Sequence, residues 1–66
     1  MVNIKIIDHR GHSERNDLTT KDAEMLISSE FSRYYVVDEK TKKAITDLST
    51  LSEDQTVILV PIVAGG

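Results

Sequence analysis

The chain has 66 residues, of which eight are basic and eleven acidic, and it contains no cysteine. Its net charge of −3 and aromatic content of 5% argue against nucleic-acid binding, which needs a basic surface and aromatic platforms for the bases. Without a thiol the chain can carry neither a persulfide nor a thioester of its own. The longest uncharged stretch, residues 55–66, is too short to cross a bilayer and stands at the wrong end for a signal peptide, so we expect a cytoplasmic protein without a membrane partner.

The N-terminal residues predict two strands joined by a turn. Apolar and polar residues alternate over residues 2–6, which places the three apolar ones on one face of a strand. A turn around Gly11 follows, and residues 13–18 predict a weak, polar second strand at the edge of the sheet. His9 and His12 flank this turn, but neither a cysteine nor a spaced set of further ligands accompanies them. We therefore expect an exposed turn and no metal site.

Residues 21–32 predict one amphipathic helix of about three turns. Thr19 or Thr20 is the expected N-cap, because a threonine hydroxyl can accept a hydrogen bond from the first turn. The apolar residues recur at helical spacing and form one stripe: Ala23, Leu26, Ile27 and Phe31. The opposite side is polar, so this helix can cover a sheet with one face only.

The second half of the chain predicts a third strand, a short element and a last strand. Residues 34–37 are aromatic and β-branched, and a charged turn separates them from Ala44-Ile45. Leu48 and Leu51 are the two leucines of a polar connecting segment, and we expect their side chains to pack against the core and hold the segment there. Residues 56–60 follow as the last strand.

The last strand carries the strongest indication of how the sheet is arranged. Its apolar run places apolar side chains on both faces, which is typical of a central strand, and regular pairing is expected to fade at Pro61 because proline has no N–H. These elements predict an α+β fold of the ubiquitin-like β-grasp type: a mixed four- to five-stranded sheet around one helix, over residues 1–61. Residues 62–66 are then a flexible tail. One helix covers only one face of such a sheet, so the other face is predicted to bind a partner through residues of the last strand: Ile58, Leu59 and Val60.

Residues 51–66 resemble the end of the molybdopterin synthase small subunit family. The shared features are a leucine, an acidic turn, a valine that opens an apolar strand, and then Pro61-Ile-Val63-Ala-Gly65-Gly66. The wider group is the ubiquitin-like β-grasp set, which includes the thiamine sulfur carrier, archaeal small modifiers and ubiquitin. The resemblance implies that this chain is not an enzyme.

The resemblance further implies that the chain is a protein substrate of an E1-like adenylating enzyme. Such an enzyme uses ATP to turn the C-terminal carboxylate into an acyl adenylate, so Gly66 would carry the reacting group and this chain itself would bind no cofactor. Glycine has no Cβ atom, and Gly65 would give the tail clearance in a narrow channel. The tail residues that the partner would recognise are Pro61, Ile62, Val63, Ala64 and Gly65.

Three functions follow from this resemblance and from the predicted open face. The first is a sulfur carrier for molybdopterin synthesis, with a thiocarboxylate at Gly66 and the molybdopterin synthase large subunit as a further partner. The second is a protein modifier joined through Gly66 to target-protein lysines, with acceptor lysines of its own at 40, 42 and 43. The third is a non-covalent binding or assembly module whose tail is inert.

Overall fold

The computed structural model describes residues 1–9 and 11–62 and contains one α-helix and one four-stranded sheet in that part of the chain. In chain order the elements are β1 (Val2–Asp8), β2 (Gly11–Leu18), α1 (Thr20–Glu30), β3 (Tyr34–Asp38), a 3₁₀ turn (Leu48–Thr50) and β4 (Thr56–Pro61). The sheet order is β2-β1-β4-β3, with β1 and β4 parallel and the other two pairs antiparallel. The predicted α+β class with one helix and a mixed sheet is confirmed.

The position of β4 agrees with its apolar sequence. It lies between β1 and β3, so the prediction of a central last strand is confirmed. The predicted short element at Ala44 forms only an isolated bridge to Val37 in the described residues. The sheet therefore has four strands, the lower of the two numbers predicted.

The first hairpin has the predicted turn and the predicted edge strand. Gly11 has a φ of +111°, a backbone conformation that favours glycine, and it already belongs to β2, which begins two residues earlier than predicted. Every residue of β2 before Leu18 is exposed. The β1–β2 register shifts between Val2 and Ile4, and nearby the amide of Asp17 donates to Asn3 Oδ1 at 3.1 Å. Such an irregular, polar edge discourages pairing with other chains.

Helix α1 begins where its cap predicts and ends slightly early. Thr19 is the N-cap, and its hydroxyl accepts a hydrogen bond from the amide of Asp22 at 3.0 Å. The helix stops at Glu30, because Phe31 leaves the helical conformation while its N–H still donates to the Ile27 carbonyl at 3.0 Å. Across the described residues, no helix has both the length and the apolar character needed to cross a membrane.

The core lies between α1 and the sheet face that α1 covers. Leu51 is buried in it and Leu48 packs against it, as predicted for the connection before β4. Within residues 1–9 and 11–62 the buried residues are all apolar: Val2, Ile4, Ile6, Ala23, Ile27, Val36, Leu51, Val57 and Leu59. The opposite face of the sheet, which we call the outer face, has no helix over it among the described residues.

Candidate partner-binding face and tail root

The tail begins at a well-defined point of the sheet. Pro61 ends β4 opposite Tyr34, and the amide of Ile62 donates to the carbonyl of Arg33 at 3.0 Å. Pairing therefore continues past the proline, one residue beyond the predicted boundary. In an antiparallel ladder only alternate residues donate to a given neighbour, so the missing N–H of Pro61 does not prevent the bond from Ile62. We call Pro61, Ile62 and Arg33 the tail root.

The remaining predicted tail residues, Val63, Ala64, Gly65 and Gly66, lie outside the described residues. Their recognition and the reaction at Gly66 stay predictions. What the structure does describe is the place from which these residues continue, at one end of the sheet beside the turn that precedes β3.

The two faces of β4 differ sharply in exposure. Val57 and Leu59 are 0% exposed and face α1, whereas Ile58 is half-buried and Val60 is 38% exposed on the outer face. The prediction that Leu59 belongs to the partner-binding face is therefore wrong. Side chains alternate along a strand, so an outward Ile58 and Val60 require an inward Leu59.

Exposed apolar side chains collect at the end of the outer face where the tail leaves. Tyr35 is the cross-strand partner of Val60, and Ile7 follows Ile6, which is paired with Leu59. Large apolar residues with 38–56% exposure make up this group, which we call the exit patch: Ile7, Tyr35, Val60 and Ile62. Exposed apolar groups of this kind are typical of protein interaction sites.

Two members of the exit patch were not predicted from the sequence. Ile7 lies beyond the alternating residues 2–6 from which the first strand is predicted, but β1 continues to Asp8 and Ile7 lies on the outer face. For Tyr35 the sequence predicts a strand but does not indicate on which face of the sheet the side chain lies. The adjacent pair Tyr34-Tyr35 was the available signal, since neighbouring strand residues point to opposite faces.

An ion pair bounds the outer face toward its other end. Lys5 lies beside Ile58 in the parallel β1–β4 pairing, and the amide of Glu39 donates to the Thr56 carbonyl at 3.0 Å on the other side of β4. Because the Lys5 ammonium is bonded to the Glu39 carboxylate, the pair crosses β4. The hydrogen bond and the charge of Glu39 raise the pKa of Lys5 above its usual value. The aliphatic part of such a lysine covers apolar surface while its charge stays in water.

A second polar cluster joins two turns at this end of the sheet. The Asp38 carboxylate accepts hydrogen bonds from Gln55 Nε2 at 2.9 Å and from the Thr41 amide at 2.8 Å. These bonds, with that of Gln55 the largest cause, lower the pKa of Asp38 from its usual value. Gln55 in turn accepts a hydrogen bond from the Ser52 amide at 2.8 Å, so the cluster fixes the turn that leads into β4.

The histidine turn has no accompanying ligand set. His9 and His12 are exposed, and within residues 1–9 and 11–62 no three histidine, cysteine, aspartate or glutamate side chains are grouped so that they could hold a metal ion.

Comparison of the chain with models of known protein families, with curated proteins and with solved structures finds no match in any of the three. Any functional interpretation thus depends on the residues of the chain, on the tail root and outer face, and on the resemblance carried by residues 51–66.

Proposed function

We propose that this chain is a ubiquitin-like sulfur carrier of the β-grasp type, activated at the Gly66 carboxylate for molybdopterin biosynthesis. The observation that carries the proposal is the course of β4. This central strand runs into a tail root tied to Arg33, and the sequence Val63-Ala-Gly-Gly66 follows at once. A fixed root followed by glycines suits a terminus that must enter the channel of another protein.

The arrangement of the elements supports the β-grasp part of the proposal. The N-terminal strand β1 and β4 lie side by side and parallel, and helix α1 covers one face of the sheet. The order β2-β1-β4-β3 is compatible with this fold.

The proposed chemistry starts from a carboxylate, which is a poor electrophile. A terminal oxygen of Gly66 attacks the α-phosphorus of ATP, the bond from that phosphorus to the bridging oxygen breaks, and pyrophosphate leaves. A hydrosulfide equivalent supplied by the partner then attacks the carbonyl carbon, and AMP departs with the electrons of the carbon–oxygen bond. A thiocarboxylate remains. The chain has no cysteine that could hold the sulfur, so in this proposal a partner supplies the sulfur donor, and a cytoplasmic adenylating partner supplies the nucleotide site.

The outer face supports a role for a second, non-covalent contact with these partners. Ile58 and Val60 retain their predicted place on the open face, and the exit patch adjoins the tail root. An E1-like enzyme or the molybdopterin synthase large subunit could therefore cover the outer face while it holds the tail.

The proposal is tested by ATP–pyrophosphate exchange with the E1-like enzyme encoded by the same host. We expect exchange with the full chain and none after deletion of Gly65 and Gly66, while the melting temperature stays nearly unchanged because no described core residue is removed. A full chain that supports no exchange would refute the proposal. A deletion variant that unfolds would contradict the separation of body and tail.

The mass of the protein isolated from its host distinguishes the three functions. A species heavier by the mass difference between a sulfur and an oxygen atom supports the carrier. A ladder of conjugates that contain this chain favours the modifier, whose isopeptide bond would form after the same adenylation. An unaltered mass together with absent exchange leaves the binding module.

A further inference from the structure

The tail root contains a positive charge whose surroundings differ from those of Lys5. Arg33 is exposed, and within the described residues its guanidinium makes no hydrogen bond or ion pair, while Lys5 is held by Glu39. The backbone of Arg33 is nevertheless fixed, because its carbonyl accepts the bond from Ile62. A long cationic side chain is thus carried by a rigid position and remains available to a partner.

Two members of the exit patch lie close to Arg33. Arg33 lies opposite Ile62 and two residues before Tyr35, which is 56% exposed. Tyrosine and arginine are among the residues that most often dominate the binding energy of interfaces. Together these side chains offer a partner an apolar surface with one unneutralised cation at its margin.

Chain geometry requires that an enzyme acting on Gly66 come close to this place. Gly66 is the fourth residue after Ile62, and four residues of fully extended chain span at most about 14 Å. The enzyme must therefore approach the tail root within that distance, so its surface meets the exit patch before it can reach the far end of the outer face.

We infer that Arg33 is a specificity-determining residue: together with Tyr35 and Ile62 it docks on an apolar surface of the adenylating enzyme that is bordered by a carboxylate. This inference rests on the proposed function. The ion pair between guanidinium and carboxylate steers and orients the encounter, as charge complementarity at interfaces does. The enzyme carries out the reaction at the terminus, so Arg33 affects the binding of the chain to the enzyme and not the chemical step.

The inference is tested with Arg33→Glu, Arg33→Lys and the control Arg15→Glu. Arg15 is exposed on the edge strand β2, so the control makes the same charge change away from the tail root. In ATP–pyrophosphate exchange with the host's E1-like enzyme, we expect Arg33→Glu to raise the KM for the chain about tenfold or more with kcat nearly unchanged. Arg33→Lys should lose less and Arg15→Glu almost nothing. The KM of the unaltered chain should rise with salt, and that of Arg33→Glu should rise less.

Folding and function are separated within the same experiment. Equal melting temperatures for the two glutamate variants would confirm that Arg33→Glu keeps its fold, because only the backbone of Arg33 is bonded in the described structure. Equal KM values for Arg33→Glu and Arg15→Glu, or a change confined to kcat, would overturn the inference and leave the proposed function standing. Absence of exchange with the unaltered chain would overturn both.

Discussion

The two faces of β4 have nearly the same composition and opposite environments. Val57 and Leu59 are fully buried under α1, whereas Ile58 and Val60, from the same apolar run, are half-buried and exposed. The difference arises from what lies over each face, since α1 covers only one of them. Apolar character alone therefore does not identify the core in a chain this small; the position of helix α1 does.

The two faces of the sheet also differ in their polar side chains. Among the described residues the covered face has no buried polar or charged side chain, while the outer face carries the Lys5–Glu39 pair across β4. Burial of apolar area is the main favourable term in folding, and exposed ion pairs contribute little. We conclude that stability resides mainly on the covered face, and we propose the outer face as the surface for contact with other proteins.

Among the substitutions that test the difference between the two faces, Leu59→Ala should reduce the stability most. Its side chain is fully buried between β1, β3 and α1, so truncation should cost about 2–5 kcal/mol in the free energy of unfolding. A single core of this size rarely supplies more than about 3–5 kcal/mol, so the variant should be largely unfolded at room temperature. Urea denaturation followed by circular dichroism measures the change. A loss below about 1 kcal/mol would contradict complete burial of Leu59.

Two valines of β4, one on each face, allow a direct comparison of the faces, with a smaller expected loss of stability than that of Leu59→Ala. Val57→Ala and Val60→Ala remove the same atoms from the same strand, but Val57 is 0% exposed and Val60 is 38% exposed. We expect a loss of about 2 kcal/mol for Val57→Ala and less than about 1 kcal/mol for Val60→Ala. Both are measured as midpoints of urea unfolding. Equal losses would mean that the outer face is covered in solution and that the faces do not differ.

The sequence contained most of the information needed for the elements but little about which side of β4 is covered. A threonine cap at Thr19 or Thr20, the polar edge strand and the central position of β4 follow from local chemistry, and the structure confirms them with Thr19 as the cap. The face of Leu59 was wrong because an uninterrupted apolar run has no polar alternation to mark its outward side. The register of β4 against β1 decides which side chains of β4 face the core, because it places Leu59 beside the buried Ile6. These two residues are far apart in the sequence, so no local sequence pattern indicates their contact.

The residues of the candidate site also fall into those that the sequence indicated and those that only the structure shows. Pro61 and Ile62 were predicted from the resemblance of the chain end, but the bond from Ile62 to Arg33 joins residues that are far apart in sequence. Arg33 itself was not singled out, since an isolated arginine in a turn is typical of ordinary surface. The reactions assigned to Gly66 lie outside the described residues and depend on the experiments given above.

The smallest expected effect concerns the polar cluster at the far end of the sheet, where Asp38→Asn should make stability less dependent on pH. Hydrogen bonds from Gln55 and Thr41 lower the pKa of Asp38 below its usual value of 3.8. A carboxyl group whose pKa is lowered by folding stabilises the folded state above the unfolded pKa, and this contribution is lost as the pH falls through the folded value. Asp38→Asn should therefore be less stable than the unaltered chain at pH 7, and the difference should shrink toward pH 2. Urea unfolding at both values measures it.

The matched control for this experiment is Asp17→Asn. It removes the same charge from the exposed edge strand, where among the described residues the Asp17 carboxylate accepts no hydrogen bond. The pKa of Asp47 is also lowered, by its bonds from the Ser49 hydroxyl and amide, so the unaltered chain loses stability in acid for two reasons and only the difference between variants isolates Asp38. If Asp38→Asn and Asp17→Asn showed the same difference at pH 7 and pH 2, the Asp38 cluster would be a surface contact without energetic weight. The polar cluster of Asp38 would then add no stability, in contrast to the buried apolar face of β4.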